Sequence, residues 1–95
     1  MKMILNKCYG GLRYPFEALE KFPEADDDRD EYRTNPEIIE MLETENYDKE
    51  VFNKIYYYSR PVVVEIPDEA TDYRMIEYDG IEEIIYVLDG KLYSC

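Results

Sequence analysis

Two Asp-Gly pairs, Asp79-Gly80 and Asp89-Gly90, constrain this chain more than any other feature. They punctuate "YRMIEYDGIEEIIYVLDGKLYS" at residues 73–94, where both are flanked by β-branched, aromatic and long aliphatic side chains. A two-residue hairpin loop of type I′ needs positive φ at both central positions, and Asp-Gly is among the few pairs that tolerate this. Two such loops in series predict a three-stranded antiparallel meander. Two-residue loops also set its register: Tyr78 opposite Ile81, Ile76 opposite Glu83, Met75 opposite Ile84 and Tyr73 opposite Tyr86. Across the second turn, Leu88 meets Lys91, Val87 meets Leu92 and Tyr86 meets Tyr93. One face then carries Ile76, Tyr78, Ile81, Ile85, Val87 and Leu92. The other carries Tyr73, Met75, Ile84, Tyr86, Leu88 and Tyr93, with Glu77 beside Glu82. Both faces are apolar enough to need cover, and the tyrosine face is expected to be only partly covered.

The rest of the chain alternates strand and helix signals. "KMILNKC" reads as a strand stopped by Gly10 and Gly11. "YPFEALEKFP" reads as a short helix with Pro15 at its first position and Phe16, Leu19 and Phe22 on one face, ended by Pro23. "EADDDRDEY" lacks hydrophobic periodicity and reads as a charged loop. Asn35 is placed to cap a helix begun by Pro36, with Ile38, Met41 and Leu42 on its buried face and Glu37 complementing the helix dipole. A second short helix fits "DKEVFNKIYYY", burying Val51, Phe52, Ile55 and Tyr56, although its tyrosines could equally begin a strand. "PVVVEI" is a strand with Pro61 at its start. The expected fold is a single α+β domain over residues 1–95, with an antiparallel sheet and two or three short helices.

Charge narrows the function. The 95 residues carry a net charge of −12, and residues 17–50 hold 14 acids against 4 bases. Such a surface repels a phosphate backbone, which argues against direct nucleic-acid binding, and it attracts basic surfaces instead. No apolar run reaches the ~18 residues of a membrane span, and "MKMILNKC" is too short for a signal peptide. The expectation is a cytoplasmic protein whose two cysteines, Cys8 and Cys95, are free thiols.

Four stretches, in order along the chain, resemble a family of small bacteriophage and prophage proteins: "NKCYGG", "RTNPEIIEML", "VVEIPD" and "EYDGIEEIIY". The family follows its glycines with phenylalanine and a Leu-Ser helix start, where this chain has "LRYPFEA", and favours tryptophan where Glu83 stands. The resemblance implies a phage or prophage origin and an α+β fold, and it implies no established activity.

The absence of histidine removes the usual Ser-His and Cys-His arrangements and the commonest zinc ligand. Cys8 gains nothing from Lys7, because adjacent strand residues point to opposite faces, and it reads as a buried structural thiol. Asp26, Asp28, Asp30 and Glu37 match positions 1, 3, 5 and 12 of a calcium loop, but Glu31 stands where the loop needs glycine and Pro36 occupies position 11. No metal, cofactor or catalytic residue is expected. The favoured reading is a non-enzymatic binding protein that inhibits or modulates a host factor with a basic surface, acting as a nucleic-acid mimic or in counter-defence. Its contact residues would be Asp26, Asp27, Asp28, Asp30 and Glu31, with Glu77 and Glu82, and the tyrosines Tyr73, Tyr86 and Tyr93. A small carboxylate enzyme using a divalent metal is the alternative, and a homodimer formed through the tyrosine face is a third reading.

Overall fold

The computed structural model describes residues 1–95 and has three layers. Strand β1 (Lys2–Asn6) pairs antiparallel with β2 (Pro61–Glu65), and this two-stranded sheet is the middle layer. On one side lie α1 (Phe16–Lys21), α2 (Pro36–Thr44) and α3 (Lys49–Ile55). On the other lies the meander of β3 (Asp72–Tyr78), β4 (Ile81–Leu88) and β5 (Lys91–Ser94).

Period-two alternation along β1 produces this layering. Ile4 joins Leu12, Tyr14, Ala18, Ala25, Ile38, Ile39 and Leu42 in the larger core, on the helical side. Met3 and Leu5 point the other way and meet Ile66 and Ile84 in a smaller core under the meander. Strand β1 is therefore covered on both faces, and it reads accordingly as an unbroken apolar run.

The meander has the register that two-residue loops dictate. Tyr78 pairs with Ile81, Ile76 with Glu83, Tyr73 with Tyr86, and Leu88 with Lys91. Asp79, Gly80, Asp89 and Gly90 all have positive φ, as type I′ turns require. The Asn35 side chain caps α2, accepting from the N–H groups of Glu37 (2.9 Å) and Ile38 (3.1 Å). Asp48 caps α3 in the same way through the N–H of Val51 (3.1 Å).

Four expectations change. The antiparallel pairing is split between two sheets. In α1 the fully buried residue is Ala18, while Phe16, Leu19 and Phe22 lie half-buried around it. Helix α3 buries Phe52 alone of its expected face, leaving Val51 and Ile55 exposed, because the row of Phe52 and half-buried Tyr56 turns toward the core and the neighbouring row of Val51 and Ile55 turns to solvent. The charged loop folds into two 3₁₀ turns, Pro23–Asp26 and Asp30–Tyr32, since buried Ala25 and the Phe22–Tyr32 ring contact (5.7 Å) give it apolar anchors.

"NKCYGG" turns out to be a docking platform. The Asn6 side-chain amide donates to the carbonyls of Cys8 (2.9 Å) and Gly80 (2.9 Å), and its oxygen accepts from the N–H of Arg60 (2.8 Å). One buried side chain thus ties its own turn to β2 and to the β3–β4 hairpin. Gly80 lies flat against the backbone of Tyr9 and Gly10, and Gly10 against Tyr58, so a Cβ at either position has no room. Gly90 also has positive φ, but the space beside it is open. Gly90→Ala is therefore expected to cost only backbone strain, about 1–2 kcal/mol. Gly80→Ala adds a clash that pushes the hairpin off the platform and must cost clearly more. Urea unfolding of the two variants checks this, and equal losses would contradict the docked geometry.

Candidate functional site

The acid-rich segment is held to the body by its own cations. Tyr14 is buried, and its hydroxyl donates to the carbonyl of Arg29 at 2.6 Å. Asp26 lies between two guanidinium groups, 3.5 Å from Arg13 and 3.8 Å from Arg29. Asp30 accepts from Nε of Arg33 at 2.8 Å while remaining open to solvent. Asp27, Asp28 and Glu31 are exposed and have no cationic partner within ion-pair distance. The neighbouring Asp28 carboxylate, as an acceptor for the protonated Glu31 carboxyl and as a like charge, raises the Glu31 carboxyl above its ordinary range.

Under this segment lies a buried ion pair. Arg33 Nη1 and Nη2 donate to Glu82 Oε1 (2.8 Å) and Oε2 (2.7 Å), and Nη1 also donates to the carbonyl of Ile4 (2.9 Å). The N–H of Asn6 donates to Glu82 Oε1 (2.7 Å), and that of Ile4 to the carbonyl of Arg33 (2.9 Å). Burial works to lower the Arg33 pKa, but the bonds from Glu82 and Asp30 overcome it, so the guanidinium is held more firmly charged than usual. Leu12, Asp27, Asp28, Arg29, Asp30, Arg33 and Glu82 line a polar cleft of about 290 Å3 above the pair.

Glu82 is thus a correction to the sequence reading. At 7% exposure it cannot meet a partner. Its strand parity points it inward, where Arg33 neutralises it. Glu77 stays exposed, but its carboxylate accepts from the N–H of Gly80 (2.8 Å) and so braces the first hairpin turn. Tyr86 and Tyr93 stack at 5.5 Å with their rings 17° from parallel. Tyr73 and Tyr93 are 49% and 43% exposed, and Tyr86 is half-buried. The tyrosine face is therefore partly covered: Ile84 is sealed and its tyrosines sit at the rim. Tyr86 lies four residues along β4 from Glu82, about 13 Å at strand spacing, with Ile84 between them. The tyrosine pair is therefore set apart from the buried ion pair that underlies the acidic segment.

Cys8 is half-buried rather than buried, and both cysteines are free. The Lys7 ammonium turns away from it to the carbonyls of Glu82 (2.7 Å) and Cys95 (3.2 Å). No three side chains of the metal-ligating types gather in one place, since Asp26 and Asp30 face arginines and Glu37 pairs with Lys21. No helix is long and apolar enough to cross a membrane. Residues missed from sequence include Asn6, Arg33 and Ser59, whose hydroxyl accepts from the N–H of Arg13 (3.0 Å). For Arg33 a faint signal existed, as one of only two bases within the acid run 24–33.

Burial raises the Tyr14 phenol well above its ordinary value of 10.0. A raised phenol pKa means that the fold favours the neutral form. The resulting stability is complete below pH 10 and is lost as pH rises from there toward the folded-state value. Spectrophotometric titration of the chain should show one tyrosine that ionises only when the protein unfolds. In Tyr14→Phe that phase should vanish; its persistence would assign the delayed ionisation elsewhere.

No protein-family model matches this chain, and neither a curated protein nor a solved structure shows significant similarity to it.

Proposed function

We propose that this is a small acidic protein of phage or prophage origin that works without catalysis, docking on a basic surface of a host factor in the host cytoplasm. The observation that carries the reading is the surface segment at Asp27, Asp28 and Glu31. Its carboxylates are exposed, crowded and unpaired, on a backbone fixed by Tyr14, Arg29 and Arg33. A fixed array of unneutralised carboxylates raises the local negative potential and steers a basic partner into register. Exposed ion pairs contribute only about 0–1 kcal/mol each. Affinity therefore needs an aromatic anchor, and the rim pair Tyr86–Tyr93 is the available one for a partner large enough to reach both groups.

The immobilised chain should retain a basic protein from bacterial lysate at low salt and release it as salt rises. Reversing Asp27, Asp28 and Glu31 to lysine should abolish retention, because none of the three contributes to the buried network. Tyr93→Ala should leave capture intact and speed release. Capture indifferent to the charge reversal, or release indifferent to Tyr93→Ala, would refute the surface, and turnover of a substrate by the purified chain would refute the whole reading.

A further inference from the structure

The outer face of the meander has no cover. Strand β4 reads "IEEIIYVL", and its central run is apolar on both sides: Ile84 and Tyr86 point inward, Ile85 and Val87 outward. An antiparallel sheet with one solvated face normally alternates apolar with polar, and a strand apolar on both faces belongs between two layers. Here the second layer is missing. Ile76 and Ile81 are each 42% exposed and Leu92 is 74% exposed. Ile85 and Val87 floor a trough of about 270 Å3 between them and Arg74.

We propose that this face is the interface of a twofold dimer, the missing layer being the same sheet of a second copy. Charge selects that occupant. The face carries three charges, Asp72, Arg74 and Glu83, which sum to −1 in a chain of −12. It is thus a nearly neutral face on which two copies of so acidic a molecule can meet with little repulsion. Arg74 and Glu83 have no ion-pair partner within the chain, although both lie on this face. In the strand register Arg74 sits opposite Ile85, and Glu83 opposite Ile76. A twofold axis perpendicular to the strands, passing between Arg74 and Ile76, lays the sheet on its own copy. Val87 then covers Ile81 of the second copy, and Arg74 is offset sideways from Glu83 of the second copy by one strand spacing, about 4.8 Å, so that their two long side chains meet across the gap between the sheets. Each opposite charge is met twice, as an isologous contact requires. Two such faces stacked about 10 Å apart form a sandwich core. This inference is independent of the acidic-surface reading.

Sedimentation equilibrium of the full chain, with near-UV circular dichroism to confirm folding, tests it. The expected result is a monomer–dimer equilibrium that Ile81→Glu weakens by roughly 30-fold or more. Arg74→Glu and Glu83→Arg should each weaken the dimer by setting like charges together, and the double exchange should restore it. A chain monomeric at every concentration overturns the proposal and gives the face to a different protein. A dimer indifferent to Ile81→Glu also overturns it, as does a double exchange that stays as weak as the singles.

Discussion

Everything in this fold is arranged around a charge that has been taken out of water. Strand β1 pairs with β2 along one edge only, and no strand serves its other edge. Its polar groups there would be buried and unpaired, at about 1–3 kcal/mol each. Arg33 and Glu82 take the place of the absent strand: Ile4 gives its N–H to the Arg33 carbonyl and its own carbonyl to the guanidinium, and Asn6 gives its N–H to the Glu82 carboxylate. The pair joins all three layers, because Arg33 comes from the chain just before α2, Glu82 from the meander, and β1 lies between them. A buried ion pair adds little over an apolar substitute, but removing one partner costs about 3–5 kcal/mol. Its role is therefore to specify this arrangement rather than to stabilise it.

The same pair connects the fold to the candidate site. Its guanidinium also holds Asp30, and Tyr14 and Arg29 hold the neighbouring turn. The acids closest to the body are consumed by structure, and their neighbours are left for solvent. That division explains why a stretch so rich in carboxylate holds its shape: Asp26 and Asp30 neutralise cations, while Asp27, Asp28 and Glu31 accumulate unbalanced charge. Asn6 does the corresponding work at the other end of β1. Its amide locks the hairpin onto a glycine turn, so the meander is rigidly placed although its outer face touches nothing.

Local signals were the legible part of the sequence. The Asp-Gly turns fix the meander register because the turn sets it within a few residues, and Asn35-Pro36 marks the start of α2 for the same reason. The β1–β2 pairing was not legible, since its partners lie more than 50 residues apart and nothing local encodes the match. Glu82 shows the limit most clearly. Strand parity put it on the right face, but which cation covers it depends on Arg33, 49 residues away. The acidic patch was visible as composition, yet its division into paired and free carboxylates needed three dimensions. Ala18 and Phe52 make the same point for the helices, where the true buried residue was decided by which row of each helix turns toward the core.

The central claim is that Arg33 and Glu82 act as one unit in holding the layers together. A double-mutant cycle by urea unfolding measures this directly, using Arg33→Met, Glu82→Met and the double variant. Each single change should cost about 3–5 kcal/mol by stranding a buried charge. The double variant should cost far less than the two singles combined, retaining only the penalty for the β1 groups left unpaired. Single losses that add to within about 0.5 kcal/mol would show that the two residues act independently, and would contradict the account.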